Sequence, residues 1–120
     1  MPETIWLFCG SDEPQKAFPP FMLAAAAVAM DMKVTMFFTM SGLTIVKKGG
    51  AQEIQLRGAA KSLPEFIHVV QEGGGRMIAC SAAFPMVDCT EEDLIDVVEC
   101  GGVVTFLDGA LRADLVLTYT

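Results

Sequence analysis

The sequence predicts a doubly wound α/β domain, meaning a parallel sheet with helices on both faces. Short, continuous apolar runs recur along the chain, and segments with helix signatures separate them. Strands that are buried on both faces form such runs, and parallel strands need crossover connections that are usually helical. With 120 residues, the chain has room for one domain of this kind, residues 1–120.

Five runs have the apolar and β-branched residues that are typical of buried strands. They are residues 5–9, 33–39, 76–80, 103–106 and 115–119. Right-handed crossovers limit the possible topologies, and the favoured sheet order is 2-1-3-4-5, a flavodoxin-like or Rossmann-like arrangement.

The first predicted helix has an alanine-rich body, residues 21–30. Because adjacent prolines fit only a first turn or a kink, Pro19 and Pro20 predict a regular helix that begins near Pro19 and a loop over residues 11–18. A short helical piece is expected over residues 41–48, followed by a mobile, glycine-containing loop over residues 49–61.

The clearest local signal is a capping box, in which Ser62 and Glu65 bracket Pro64 at the start of a helix. Apolar residues follow at helical spacing, and a glycine triplet, residues 73–75, ends the pattern. A further helix is predicted from Thr90, with its apolar stripe at Leu94, Val97 and Val98, and a short one over residues 107–114.

Composition excludes several classes of protein. The chain is 52% hydrophobic with a mean hydropathy of +0.47, which excludes intrinsic disorder. Its longest apolar run, residues 17–30, is shorter than the roughly twenty residues of a membrane span. No basic residue precedes the first apolar run, so we expect no signal peptide and a cytoplasmic location.

The net charge of -7 makes nucleic acid an unsuitable partner, because phosphate binding needs basic side chains. Residues 47–61 are locally basic, whereas residues 88–114 are mainly acidic. The basic stretch is either a solvated loop or a docking patch for an acidic partner.

The chain contains four cysteines, at positions 9, 80, 89 and 100. They form no C-x-x-C pair, and His68 is the single histidine, so we expect no metal site. A reducing compartment also disfavours disulfides. Buried thiols and reactive thiols remain as alternatives.

Two of these cysteines end strands. In the order 2-1-3, the first and third strands are neighbours, so Cys9 and Cys80 are expected to meet at the carboxyl edge of the sheet, where such folds bind ligands. A thiol there can be stabilised as thiolate by nearby amides, although cysteine is also a common buried apolar residue. Cys89 is a candidate resolving thiol. The loops beside the expected site supply the candidate pocket residues Gly10, Ser11, Asp12, Ser81 and Phe84.

Several segments resemble the DsrE/DsrF-like family. They are Cys-Gly-Ser-Asp after the first strand, Ala-Met-Asp-Met-Lys-Val-Thr-Met-Phe-Phe-Thr leading through the second, Ile-Ala-Cys-Ser on the third, and the closing segment from Glu91 to Leu107. The resemblance covers nearly the whole chain, and its motifs occur in the family's order and spacing.

The resemblance implies a parallel five-stranded fold, assembly into homo-trimers or hexamers, and a role in cytoplasmic sulfur relay. Cys80 falls where sulfur-carrying members hold sulfur as a persulfide, received from a donor protein and passed to an acceptor without metal or organic cofactor. The chain departs from the family where Ala82-Ala83-Phe84-Pro85 replaces a Met-Ser-Met-Asp-like stretch.

Three functions are therefore considered. The first is a sulfur carrier or sulfurtransferase-like protein using Cys80, with Cys9 as a neighbour, and whether it is an enzyme is left open. The second is a non-catalytic oligomeric binding module, which the altered loop favours. The third is a thiol redox sensor pairing Cys80 with Cys9 or Cys89. An apparent excess of aromatic residues predicts subunit contacts at Phe18, Phe21, Phe37, Phe38 and Phe84.

Overall fold

The computed structural model describes residues 2–120 and shows the predicted fold class: an all-parallel five-stranded sheet with helices. The strands are β1 (Thr4–Cys9), β2 (Lys33–Phe38), β3 (Arg76–Cys80), β4 (Val98–Gly101) and β5 (Leu115–Tyr119). The helices are α1 (Pro14–Ala29), α2 (Leu43–Val46), α3 (Gly50–Glu53), α4 (Leu63–Glu72) and α5 (Val103–Ala110). Short 3₁₀ turns lie at residues 40–42, 81–86 and 91–93.

The strand order is β4-β3-β2-β1-β5, so the predicted order 2-1-3-4-5 is wrong in detail. Strands β2, β3 and β4 each lie beside the strand that precedes them in the chain, and the connection through α5 then crosses the sheet to place β5 against β1. Strands buried on both faces have similar apolar patterns, and such patterns do not specify neighbours. The order therefore reverses between β1 and β5, not between the first and third strands.

The fourth strand was predicted in the wrong place. Residues 103–106 begin α5, and the Gly102 amide donates to Thr105 Oγ1 at 3.3 Å at its start. A short run of β-branched residues fits either a strand or a buried helix. The helix predicted from Thr90 is only the turn at 91–93, because the chain becomes extended at Leu94, and Val98 begins β4.

Helix α1 begins at Pro14, five residues before the predicted start. Pro19 and Pro20 lie inside it and lack the amides that would bond to the carbonyls of Gln15 and Lys16. Both of these residues are exposed, so water can satisfy their carbonyls. The segment predicted as a loop at 49–61 contains the short helix α3.

The predicted capping box is confirmed at the start of α4. The Ser62 amide donates to Glu65 Oε1 at 2.9 Å, and the Glu65 amide donates to Ser62 Oγ at 3.3 Å. Helix α4 ends at Glu72, next to the glycine triplet. Helices α1 and α4 pack against each other, and Phe18 of α1 meets Phe66 of α4 edge to face.

The two faces of the sheet are covered unequally. On the first face, Phe38 stacks on Phe21 of α1. On the second, which we call the α5 face, Phe106 of α5 packs against Phe8 and Phe37. Helix α5 leaves much of its own apolar surface exposed. The exposed apolar residues are Val103, Val104 and Leu107 in the helix and Leu111 directly after it.

The aromatic residues predicted to mediate subunit contacts mostly serve another purpose. Phe18, Phe21, Phe37 and Phe38 are each 2% exposed or less and fill the chain's own core, so this prediction was wrong for them. Phe84 is only partly buried. A sheet that is covered on both faces has two apolar layers to fill, so its core takes more large side chains than we expected for a domain of this length.

Candidate functional site

Cys80 is the last residue of β3, at the carboxyl edge of the sheet, and pairs with Gly101 of β4. Only 2% of it is exposed. The chain then enters the 3₁₀ turn at 81–86, in which Ser81 and Ala82 are exposed. Ser81 Oγ donates to the Gly101 carbonyl at 3.2 Å and so attaches the turn to β4. A buried thiol therefore lies directly below an exposed turn.

Cys9 does not adjoin Cys80, contrary to the sequence prediction. Strand β2 lies between their strands, so their backbones are roughly 10 Å apart at a spacing of about 4.8 Å per strand. Cys9 is in register with Phe38, and Phe38 with Ala79. Because successive residues of a strand alternate between faces, Cys80 points to the face opposite Cys9.

The environment of Cys9 is that of a structural thiol. It is 2% exposed, and its Sγ lies 3.9 Å from the Leu7 carbonyl, to which it donates. Burial raises the pKa of the Cys9 thiol far above its ordinary value, so the thiolate is strongly disfavoured. Cys9 is thus poorly suited to nucleophilic chemistry.

The candidate pocket residues after β1 lie near β5 and the turn at 40–42. The Gly10 amide donates to the Tyr119 carbonyl at 2.7 Å, and Ser41 Oγ donates to the Gly10 carbonyl at 3.4 Å. Ser11 Oγ accepts the Glu13 amide at 3.1 Å, while Asp12 is half-buried. The turn at 40–42 contacts the turn at 81–86, so it lies between the two predicted halves of the pocket.

Phe84 organises the loop after β3. Its carbonyl accepts the amides of Val87 at 3.3 Å and Cys89 at 3.0 Å, which closes the loop on itself. Met86 of this loop is 69% exposed, and Met40 of the neighbouring turn is 45% exposed. Flexible, polarizable methionine side chains at a surface suit contacts with partners of varied shape. Sequence reasoning missed these two residues because scattered methionines resemble core filler.

The two remaining thiols differ in exposure but share an acidic environment. Cys89 is buried, and its Sγ donates to the Thr90 carbonyl at 3.5 Å. Burial raises its pKa, Lys47 opposes this, and nearby carboxylates add to it. Cys100 is exposed. Partial burial and Glu91 raise its pKa, and the charge of Cys89 contributes. Neither thiol is activated by its surroundings.

Across residues 2–120, no cluster of three or more His, Cys, Asp or Glu side chains could hold a metal ion. Over the same span, no helix has the length and apolar character needed to cross a membrane.

Fold and site together define a class: small, doubly wound α/β domains with a cysteine closing the third strand. Comparison with known proteins then assigns the family. The model of the DsrE/DsrF/DrsH-like family matches residues 2–60 and 52–118, so the chain belongs to this family.

Two relatives match over most of this chain. Protein YrkE of Bacillus subtilis (strain 168), itself described as uncharacterized, is 28% identical over 145 residues, covering 89% of each chain. The uncharacterized protein MJ0760 of Methanocaldococcus jannaschii is 26% identical over 99 residues, covering 82% of this chain. This chain spans only 36% of the length of MJ0760.

Two solved structures share the fold. The YchN protein of E. coli superimposes with a TM-score of 0.79 at 20% identity, covering 98% of this chain and 99% of its own. The protein MTH1491 of Methanobacterium thermoautotrophicum gives a TM-score of 0.75 at 12% identity, covering 96% and 98%. Both proteins therefore share the fold described above over nearly the full length of this chain.

Proposed function

We propose that this protein is a sulfur carrier that holds a persulfide on Cys80. The observation that carries the proposal is the position of Cys80, at the end of β3 and directly before an exposed turn. This position matches the sulfur-carrying cysteine in the family resemblance. Membership of the DsrE/DsrF/DrsH-like family is also consistent with a role in sulfur relay.

The proposed chemistry is two thiol exchanges. The Cys80 thiolate attacks the outer sulfur of a donor's persulfide; a new S–S bond forms, the donor's S–S bond breaks, and the donor leaves as a thiolate. An acceptor thiolate then attacks the carried sulfur and releases the Cys80 thiolate. The transferred atom keeps its oxidation state across the two steps, so the exchange uses no redox cofactor.

Transfer requires access to a side chain that is 2% exposed. The turn at 81–86 covers the end of β3, and the bond from Ser81 Oγ to the Gly101 carbonyl is one contact that holds it. We propose that this turn opens when a donor protein docks on Met40 and Met86. Exposed thioether side chains give such a partner an adaptable apolar surface.

We also propose that the protein is cytoplasmic and forms homo-oligomers, trimers or hexamers as the family resemblance implies. The support in this chain is its exposed apolar surface. Two residues of α1, Met22 and Met30, are 57% and 69% exposed, and Val104 and Leu111, in and just after α5, are 75% and 86% exposed. Several large apolar side chains are thus exposed on the helices of both faces of the sheet, and exposed apolar surface of this kind is a feature of interaction sites. Sedimentation velocity at several concentrations tests this proposal.

Mass spectrometry tests the carrier function directly. The full-length protein is incubated with polysulfide, digested, and searched for peptides that carry one additional sulfur atom. The expected result is an adduct on Cys80 that Cys80→Ser abolishes and Cys100→Ser leaves in place. An adduct confined to the exposed Cys100, or an unchanged yield in Cys80→Ser, overturns the proposal.

The burial of Cys80 favours a second candidate, a non-catalytic oligomeric binding module. If the turn at 81–86 never opens, Cys80 is a packing residue like Cys9. Alkylation of the native protein separates the candidates. If the protein is a carrier, the reagent labels Cys80 once a donor desulfurase is added. If it is a binding module, the reagent labels Cys100 alone. The arrangement does not support redox pairing of Cys80 with Cys9, because the two side chains point to opposite faces.

A further inference from the structure

An apolar cavity of about 420 Å³ lies on the α5 face, and none of the four cysteines lines it. Its lining comprises Phe8, Phe37, Val103, Phe106, Leu107, Thr118 and Thr120. The volume lies in the range of small-molecule sites, roughly 300–1,000 Å³. The cavity therefore has the size and lining of a binding site that sulfur transfer does not use.

The position of the cavity in the sheet supports a binding site independently of its size and lining. In open parallel sheets, ligands bind outside the carboxyl ends of the strands at the point where the strand order reverses. Here the reversal lies between β1 and β5. Phe8 is the penultimate residue of β1 and is in register with Thr118 of β5, so the cavity spans this point at the carboxyl edge.

The backbone leaves this crevice open. Gly10 follows β1, and a Cβ there would lie 3.4 Å from the ring of Phe8 and 3.3 Å from the methyl group of Thr120. Any larger side chain at position 10 would extend against two residues that line the cavity. Glycine at this position places no side chain beside this end of the cavity.

The lining determines the chemical class of the ligand. Three phenylalanine rings and two aliphatic side chains form the walls, and no lining side chain is charged. Burying an unpaired charge among such side chains is costly. Thr118 and Thr120 are exposed and offer hydroxyls at the rim. Their hydroxyls can donate to or accept from one polar group of a bound molecule.

We propose that the crevice between β1 and β5 binds an uncharged, flat aromatic molecule with one hydrogen-bonding group. The centroids of the Phe8 and Phe106 rings are 5.3 Å apart, and the ring planes cross at 78°. The pair therefore offers both an aromatic edge and an aromatic face to such a ligand. The proposal does not depend on Cys80 and stands whether or not that residue carries sulfur.

The probe for the test is 2-naphthol, added to the full-length protein labelled with ¹³C at its valine and leucine methyl groups. The expected result is saturable shifts of the Val103 and Leu107 methyl signals. The Val104 and Leu111 signals should stay in place, since these residues are exposed but do not line the cavity. Naphthoate, the charged counterpart, should bind at least tenfold more weakly.

Matched variants locate the site. Val103→Phe fills the cavity and should weaken naphthol binding at least tenfold, whereas Val104→Phe, the same change one residue later, should alter it less than twofold. Thr118→Val should weaken binding about fivefold through loss of one hydrogen bond. Both valines are more than half exposed, so these variants are expected to fold.

Three results would overturn the proposal. Equal shifts at all four methyl positions would indicate nonspecific adsorption to apolar surface. Equal weakening by Val103→Phe and Val104→Phe would place the ligand elsewhere. Absence of binding, together with dissociation of an oligomer by Val103→Phe, would show that a second copy of the chain covers the crevice instead.

Discussion

Gly109 of α5 lies directly against the indole ring of Trp6 on β1. A Cβ at position 109 would overlap the six-membered part of that ring, at distances that real Cβ atoms do not adopt. The same indole also meets Phe106 of α5 edge to face, with centroids 5.8 Å apart. This close approach sets how near α5 can come to the sheet.

We therefore expect Gly109→Ala to destabilise the protein by about 1–3 kcal/mol, because the helix must move away from the indole. Urea denaturation followed by Trp6 fluorescence measures this. Gly102→Ala is the matched control, since a Cβ there meets nothing within 4 Å. Equal stability of the two variants would mean that α5 does not pack on Trp6 as described.

The thiols should differ in reactivity in the native state. Burial raises the pKa of Cys9 and encloses its side chain, so iodoacetamide at pH 8 should leave Cys9 unmodified while labelling the exposed Cys100. Quantitative peptide mapping over time measures both rates. In denaturant the two rates should converge. Labelling of native Cys9 as fast as Cys100 would contradict its placement.

The capping box should make stability depend on pH in the acid range. Hydrogen bonds from Ser62 lower the pKa of Glu65 below its ordinary value of 4.5. A carboxylate whose pKa is lower in the folded state stabilises fully above its unfolded pKa, and that contribution is lost as the pH falls through the folded pKa. Unfolding free energies measured from pH 6 to pH 3 should therefore decrease below about pH 4.5. Glu65→Gln should reduce this decrease.

The same box gives a prediction at neutral pH. Ser62→Ala removes the acceptor of the Glu65 amide and should cost about 1 kcal/mol. Ser81→Ala is the comparison: Ser81 is exposed and its hydroxyl also makes one hydrogen bond, to the Gly101 carbonyl, but it caps no α-helix, so we expect a smaller loss. Chemical denaturation of both variants checks this. A smaller loss in Ser62→Ala than in Ser81→Ala would contradict the assigned cap.

An ion pair joins the two strands at the β4 edge. Arg76 donates from Nε and Nη2 to the two carboxylate oxygens of Glu99, at 3.0 and 2.9 Å. Both side chains are 51% exposed, so solvent screens the pair. We expect Glu99→Gln to cost less than about 1 kcal/mol, and the cost to shrink in 1 M salt. A loss that is independent of salt would contradict an electrostatic origin.

Local signals in the sequence predicted local structure well. The capping box at Ser62 and the apolar runs of β1, β2, β3 and β5 appear where expected, because caps and burial patterns act over a few residues. The predicted order placed β2 correctly beside β1 but gave β3 as its other neighbour instead of β5. Buried parallel strands share one pattern, and the choice among them depends on packing across the sheet. The position of α5 was missed for a related reason: Val103-Val104-Thr105-Phe106 suits a strand by propensity, and tertiary packing makes it helical.

In the candidate site too, local features were predictable from the sequence and features that depend on strand order were not. That Cys80 ends a strand at the carboxyl edge was predictable from the run Ile78-Ala79-Cys80 and the polar residue after it. That it is buried, and that Cys9 faces the other side of the sheet, depends on strand order and therefore could not be predicted from the runs alone. For the same reason, the strand order reverses between β1 and β5 and not between the first and third strands, where it was expected.

The strand order has a consequence for how the protein is made. Of the five strands of the sheet, β1 is synthesised first and is an interior strand, whereas its second neighbour, β5, is synthesised after the other four. The Thr4 amide and Asp114 Oδ2, which bond at 2.8 Å, are separated by 110 residues. Until β5 emerges, one edge of β1 has no partner, and unpaired edges promote association between nascent chains. This edge of β1 is therefore open to such association until the residues between β1 and β5 have been synthesised.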